Sequence, residues 1–307
     1  MSARSPDVLA RSPFAAAAAA LAGAAAFPSV ILPRLPPGRT KTLLSLFDFT
    51  GAWARPFEEA GWNVLQVDIK HGDDVRDFSA RWLIENVCQG FLIDGVVAAP
   101  PCTDFSRSGA RHWAAKDADG RTADSVHLVY QTLRTIDFLR PDFWALENPI
   151  GRIARLVPEL GAPTCMFDPC DFAGWTDLSR EDGRRLDALR ARHPGSGFTA
   201  EEVALVKRTN AYTKRTALWG CFRCPTPRRV EPVRTSMQGS WLQQLGGASG
   251  RTKEERSITP DGFARAFYLA NHDAPELADG SATLACGPAH TISSSPFARA
   301  AAALEAA

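Results

Sequence analysis

At 307 residues the chain has room for one large domain, or for a domain with a smaller lobe. Its 45% hydrophobic and 22% charged residues exclude a disordered, fibrous or membrane-embedded chain. The net charge of +1 names no partner, but its spread is uneven: residues 1–150 carry 15 Lys/Arg against 17 Asp/Glu, residues 151–260 carry 18 against 12. That basic stretch fits a surface meeting a polyanion and, equally, a solvated basic face.

The first forty residues are rich in Ala and Pro. Phe14 to Phe27 is almost all Ala, with Arg4 and Arg11 ahead of it, which imitates a signal peptide. Seven cysteines, an odd number, do not suggest a secreted disulfide framework. Residues 1–40 therefore read as a disordered or loosely helical extension of a cytoplasmic protein, and 276–307 as a low-complexity tail. No stretch reads as a membrane span.

Thr42–Phe49 is an apolar-rich run that reads as a first strand, and Pro56–Gly61 as a short helix with Gly61 as its stop. Trp62–Asp68 alternates like a second strand. Arg81–Val87 reads as helix and Phe91–Ala98 as a buried strand that halts at Pro100-Pro101, since prolines lack the N–H a central strand needs. Thr103–Gly120, with Arg107, Arg111, His112 and Lys116, reads as a mobile loop able to close over a substrate. Asp124–Leu139 places Val126, Val129, Leu133 and Ile136 near helical spacing, and Phe143–Leu146 is another buried strand. Alternating strands and helices over 42–150 predict an α/β fold with a mostly parallel, doubly wound sheet. Beyond Pro149 loop signals dominate. Tyr212–Phe222 reads as a returning strand, and Thr259–Asn271 as a helix capped by Thr259 with Pro260 in its first turn. The predicted organisation is a catalytic and cofactor-binding domain over 41–150, a small basic recognition lobe over 151–240, and a return to the catalytic domain over 241–275.

Three strand ends carry polar residues: Asp48 and Gly51, Cys102, and Glu147-Asn148. In a parallel sheet such ends share one edge, where ligands bind. Cys102 is there a candidate nucleophile, given something to lower its pKa or take its proton. The turn Phe49–Ala54 has a single glycine, Gly51, so a ligand without phosphate suits it better than a nucleotide phosphate. Asp68 fits either a ribose-binding carboxylate or a plain polar strand end. Cys165, Cys170, Cys221 and Cys224 fit a zinc site less well than buried structural cysteines, so no metal is expected.

Ala99-Pro-Pro-Cys-Thr-Asp-Phe-Ser106 resembles the Pro-Cys motif of the cytosine-C5 DNA methyltransferases, Glu147-Asn148-Pro149 their Glu-Asn motif, and Leu46-Phe-Asp-Phe-Thr-Gly51 their S-adenosylmethionine motif. Compact phage and prophage members look most similar. The resemblance implies a Rossmann-like methyltransferase that joins a methyl group from S-adenosylmethionine to C5 of cytosine in DNA, through a covalent bond between Cys102 and C6. It implies catalytic roles for Cys102, Glu147 and Arg215. Cofactor contacts would come from Phe47, Asp48, Thr50, Gly51, Asp68, Asp77 and Pro100. Contacts to the substrate DNA would come from Ser106, Arg107, Arg111, Asn148 and Lys214. Trp53-Ala54 departs from the glycine pair usual in that family, and Tyr212–Gly220 holds only Lys214 and Arg215 where an Arg-rich motif is usual. Those departures leave room for RNA or a free nucleotide as substrate, for a modified sulfonium group, or for a non-catalytic DNA-binding protein that keeps the fold.

Overall fold

Five consecutive buried residues, Thr42–Leu46, form β1 at the centre of the molecule. A strand covered on both faces needs such an unbroken run. The computed structural model describes residues 40–77, 93–237, 240–241 and 250–273. The expected helix over 81–87, the start of the strand expected from Phe91, residues 1–39 and the tail 276–307 lie outside the described residues.

From β1 the chain enters α1 (Arg55–Glu59), whose first turn holds Pro56, and returns as β2 (Asn63–Val67). Next comes β3 (Gly95–Ala98). Gly95 is dictated by packing: a Cβ there would lie 2.2 Å from the Phe143 ring. After β3 run α2 (Trp113–Ala118), α3 (Arg121–Leu139), β4 (Phe143–Pro149), α4 (Ile153–Leu156) and β5 (Cys165–Phe167). Two helices, α5 (Arg180–Arg190) and α6 (Ala200–Arg208), precede β6 (Thr216–Cys221). The described chain ends with α7 (Gly250–Ser257) and α8 (Asp261–Asn271).

The sheet order is β2-β1-β3-β4-β6-β5. The first four strands are parallel, whereas β6 runs antiparallel to both β4 and β5. The fold is thus the expected Rossmann-like, doubly wound α/β sheet. Strand order reverses between β1 and β3, the place where such sheets open a binding crevice. Leu46, Ala98 and Leu146 lie in register across β1, β3 and β4, so the turns that follow them meet at one edge.

Alternation along the strands feeds two cores. Leu43, Val97 and Ala145 pack with Phe57 of α1 and Phe263 and Phe267 of α8, while Leu44, Leu46, Val96 and Ala98 pack with Ile136 and Leu139 of α3. Helices α5 and α6 form a lobe with its own small core, which includes Leu186, Leu189, Leu205, Val206 and Tyr212.

Three expectations change. Part of the region read as lobe belongs to the sheet, because β5 pairs with β6. The segment after Cys102 is helical: a 3₁₀ turn spans Arg107–His112 and α2 follows. Lys116, buried in α2, pairs with Asp104 at 2.8 Å and donates to the Thr103 carbonyl at 2.6 Å, which ties the segment down. Finally, α8 starts after Pro260 with no side-chain cap from Thr259; the Asn210 side chain accepts the Gly262 N–H instead, at 2.8 Å.

Candidate active site

The turn after β1 is built around one buried carboxylate. Asp48 accepts from the Ser45 hydroxyl at 3.0 Å and from the backbone N–H groups of Trp53 and Ala54 at 3.2 and 3.3 Å. Burial pushes its pKa up, and these hydrogen bonds oppose the rise. Asp48 is therefore occupied in closing the turn. Phe47 (φ 60°) and Gly51 (φ 64°) both take left-handed backbone there. Gln66 of β2 donates from its amide to the carbonyls of Asp48 and Phe49, the latter at 3.0 Å, which holds the turn against the sheet. Thr50 is exposed and its hydroxyl accepts from Ala52 N at 3.3 Å. Trp53, where a glycine would be usual, is buried against Phe263 and Phe267, with ring centroids 5.5 and 5.4 Å away. It anchors α8.

At the end of β2 one oxygen of Asp68 accepts from Lys70 N at 2.9 Å. Its other oxygen has no partner among the described residues. Beside it Ile69 is 64% exposed, and Phe49, after β1, is 41% exposed. Asp77 ends a 3₁₀ turn and is exposed.

Pro100 and Pro101 end β3, and Cys102 opens a 3₁₀ turn with its thiol half-buried. Asn148 of β4 is fully buried and donates to the Pro100 carbonyl at 2.9 Å. The Asn148 side chain, expected to contact DNA, has no exposed surface in this structure and joins the two turns. Ser106 is likewise buried and bonded to Ser108 at 3.0 Å. Arg107 and Arg111 are exposed and have no acidic partner among the described residues.

Glu147 points into the same edge, and Lys214 stands 3.9 Å from it, with side-chain exposures of 17% and 18%. Because β6 is antiparallel to β4, its beginning arrives where β4 ends, which brings Lys214 there. Successive residues of an extended chain face opposite ways. Arg215 accordingly turns outward, half exposed, to Asp168 at 3.2 Å. In this structure the cation nearest Glu147 is Lys214. Burial pushes the Cys102 thiol up; the charge of Lys214 pulls it down, Glu147 pushes it up, and Arg256 of α7 pulls it down. Burial also pushes the Glu147 carboxyl up, opposed by Lys214 and the Thr216 hydroxyl. Nothing in the sequence pattern pointed to Arg256.

In β5, Cys165 lies against Cys224, and burial first, then that neighbour, pushes its thiol up to about 12. Among the described residues no cluster of three or more His, Cys, Asp or Glu side chains is placed to hold a metal, and no helix is long and apolar enough to cross a membrane.

No curated protein matches the chain. A crystal structure provisionally described as a DNA modification methyltransferase encoded within a prophage of E. coli is similar at 15% identity and a TM-score of 0.31, over 59% of this chain and 46% of that one. The chain thus spans a little under half the length of that structure. Residues 42–152, which run from β1 through the Glu-Asn turn to Arg152, match the family model for the C-5 cytosine-specific DNA methylase. That segment is similar to a C-5 cytosine-specific DNA methylase domain, and Cys102 and Glu147 both lie within it, at the edge where β3 and β4 end.

Proposed function

We propose that the protein transfers a methyl group from S-adenosylmethionine to C5 of cytosine in DNA. The observation that carries this reading is the meeting of Cys102, Glu147 and Lys214 at the carboxyl edge of β3 and β4. C5 of cytosine is a poor nucleophile until C6 is attacked. The Cys102 thiolate forms the C6–S bond, and the displaced π pair moves onto C5. Glu147, its carboxyl held up by burial, donates a proton to N3 and accepts from the N4 amine, so that the ring tolerates the added charge. Lys214 favours the thiolate over the thiol. After C5 is alkylated, loss of its proton to a solvent base drives the pair back and expels the thiolate.

S-adenosylmethionine supplies the electrophilic methyl when bound. The chain fits it at the end of β2: the unengaged oxygen of Asp68 suits ribose hydroxyls, and exposed Ile69 and Phe49 offer apolar surface for adenine. In this reading Phe47, Thr50, Gly51, Asp77 and Pro100 would contact the cofactor, while Asp48 closes the turn through its bonds to Trp53 and Ala54. The target base must first leave the helix, at a cost of a few kcal/mol. Arg107 and Arg111, exposed beside Cys102 in the chain, offset part of it through phosphate contacts.

The test is a covalent complex with DNA carrying 5-fluorocytosine, which blocks the final proton loss. It should form with the native chain plus S-adenosylmethionine and disappear with Cys102→Ser. Absence of any complex with duplex DNA, single-stranded DNA and RNA alike sinks the reading; a complex with RNA alone would keep the chemistry and change the substrate.

A further inference from the structure

We infer that Arg152 is a positioning residue that locks the Pro-Cys turn to the Glu-Asn turn and thereby sets where the Cys102 thiol stands relative to Glu147. The inference rests on the reading above and assigns Arg152 no contact with substrate. Its guanidinium is almost wholly buried and every edge of it is used. Nε donates to the Asp104 carbonyl at 2.8 Å, two residues past the thiol. The two terminal nitrogens take Asp117 in a fork, each at 2.8 Å, and one also donates to the Thr122 hydroxyl at 2.8 Å. Thr122 closes the triangle by donating to Asp117 at 2.7 Å. The cation lies 4.6 Å from the centroid of the Trp113 ring.

The backbone makes the same connection. Arg152 N–H donates to the Phe105 carbonyl at 2.9 Å, and Ser106 bridges to Gly151. Gly151 admits no side chain, because a Cβ there would lie 1.9 Å from the Phe105 oxygen. On its other side the same short segment is held by Lys116 and by the Ser125 hydroxyl, which donates to Asp104 at 2.5 Å. Cys102 and Glu147 stand on different strands, and Arg152 is the side chain that reaches from the end of one turn into α2 and α3 behind the other. A lysine could not replace it: an ammonium is a point donor, whereas this site uses a planar fork in three directions.

The experiment compares wild type with Arg152→Lys, and with Asp117→Asn as a milder variant in case the first does not fold, since Asp117 is 38% exposed. Three quantities are measured: the rate of covalent complex formation with 5-fluorocytosine DNA, the affinity for that DNA, and the pH midpoint for alkylation of Cys102, resolved by peptide mass spectrometry. Displacement of a reacting group by about 1 Å costs about 100-fold in rate. Arg152→Lys should lose about that much in complex formation, with DNA affinity within about twofold. Its alkylation midpoint should fall, because a loosened turn admits water to a thiol that burial now holds high. A complex-forming rate within about threefold of wild type, or a rate that falls only in proportion to affinity, overturns the inference and leaves the functional reading standing. If the wild-type chain itself forms no complex, the functional reading fails separately. The alkylation midpoint then decides: a fall supports the lock, and an unchanged midpoint overturns it.

Discussion

The edge of the sheet and the helical lobe are held by opposite means. At the edge, Asp48, Asn148 and Arg152 are buried; Asp48 and Asn148 bond to backbone and a buried hydroxyl, and Arg152 to backbone, to Thr122 and to the partly exposed Asp117. In the lobe, the ion pairs Arg185–Glu201, exposed, and Arg192–Glu202, partly exposed, accompany a small apolar core. Buried polar groups are costly to leave unpaired, so the edge has one arrangement. Exposed pairs contribute little and tolerate change. The comparison also divides the basic character of residues 151–260. Arg184, Arg185, Arg190, Arg192 and Arg208 all have acidic partners within the lobe, whereas Arg107 and Arg111, in the half of the chain with no net positive charge, have none among the described residues.

Substitutions at the edge should therefore act on chemistry, and those in the lobe on stability. The largest effect is expected from Glu147→Gln, which cannot pass a proton to N3. Methyl transfer measured with labelled cofactor should fall by about 10² to 10⁴-fold; a fall of less than tenfold would remove Glu147 from the chemistry. Lys214→Met comes next. Lys214 lowers the Cys102 pKa, so its removal raises it, and the acid limb of the pH–rate profile should move to higher pH, with a loss of about tenfold or more at neutral pH. Arg215→Met should leave that limb where it is, and equal shifts in both variants would undo the distinction drawn between these neighbours. Arg107→Ala with Arg111→Ala should lower the slope of log affinity against log salt by about 2 with little sequence dependence, as read by titration at several salt concentrations. The smallest effect belongs to the lobe. Thr199 caps α6, accepting from Glu202 N at 3.2 Å while Glu202 accepts from Thr199 N at 2.8 Å. Thr199→Ala should cost about 1 kcal/mol in denaturant unfolding and leave the transfer rate unchanged.

What could be read from the chain follows the same division. β1, β2, β3 and β4 are announced by apolar runs, and Cys102 and Glu147 by the turns that end two of them. Which of Lys214 and Arg215 stands nearest Glu147 is not legible in a short motif; it depends on β6 pairing with β4, nearly 70 residues earlier. Asn148 resembled a ligand contact until its burial against Pro100 was visible. The helices α5 and α6 were hidden by surrounding Pro and Gly, although Ser179 three residues before Asp182, and Thr199 three before Glu202, are capping signals that could have found them. Arg152 carried no signal, since its partners are scattered over 104–122.

Trp53 sits in the turn after β1, yet the rings that enclose it, Phe263 and Phe267, arrive more than 200 residues later. A ribosome adding about 5–20 residues per second delivers α8 on the order of ten to forty seconds after that turn. Through that interval the nascent chain carries an uncovered indole beside its first strand. The packing around the turn after β1 is therefore completed only once α8 has been made, long after the turn itself.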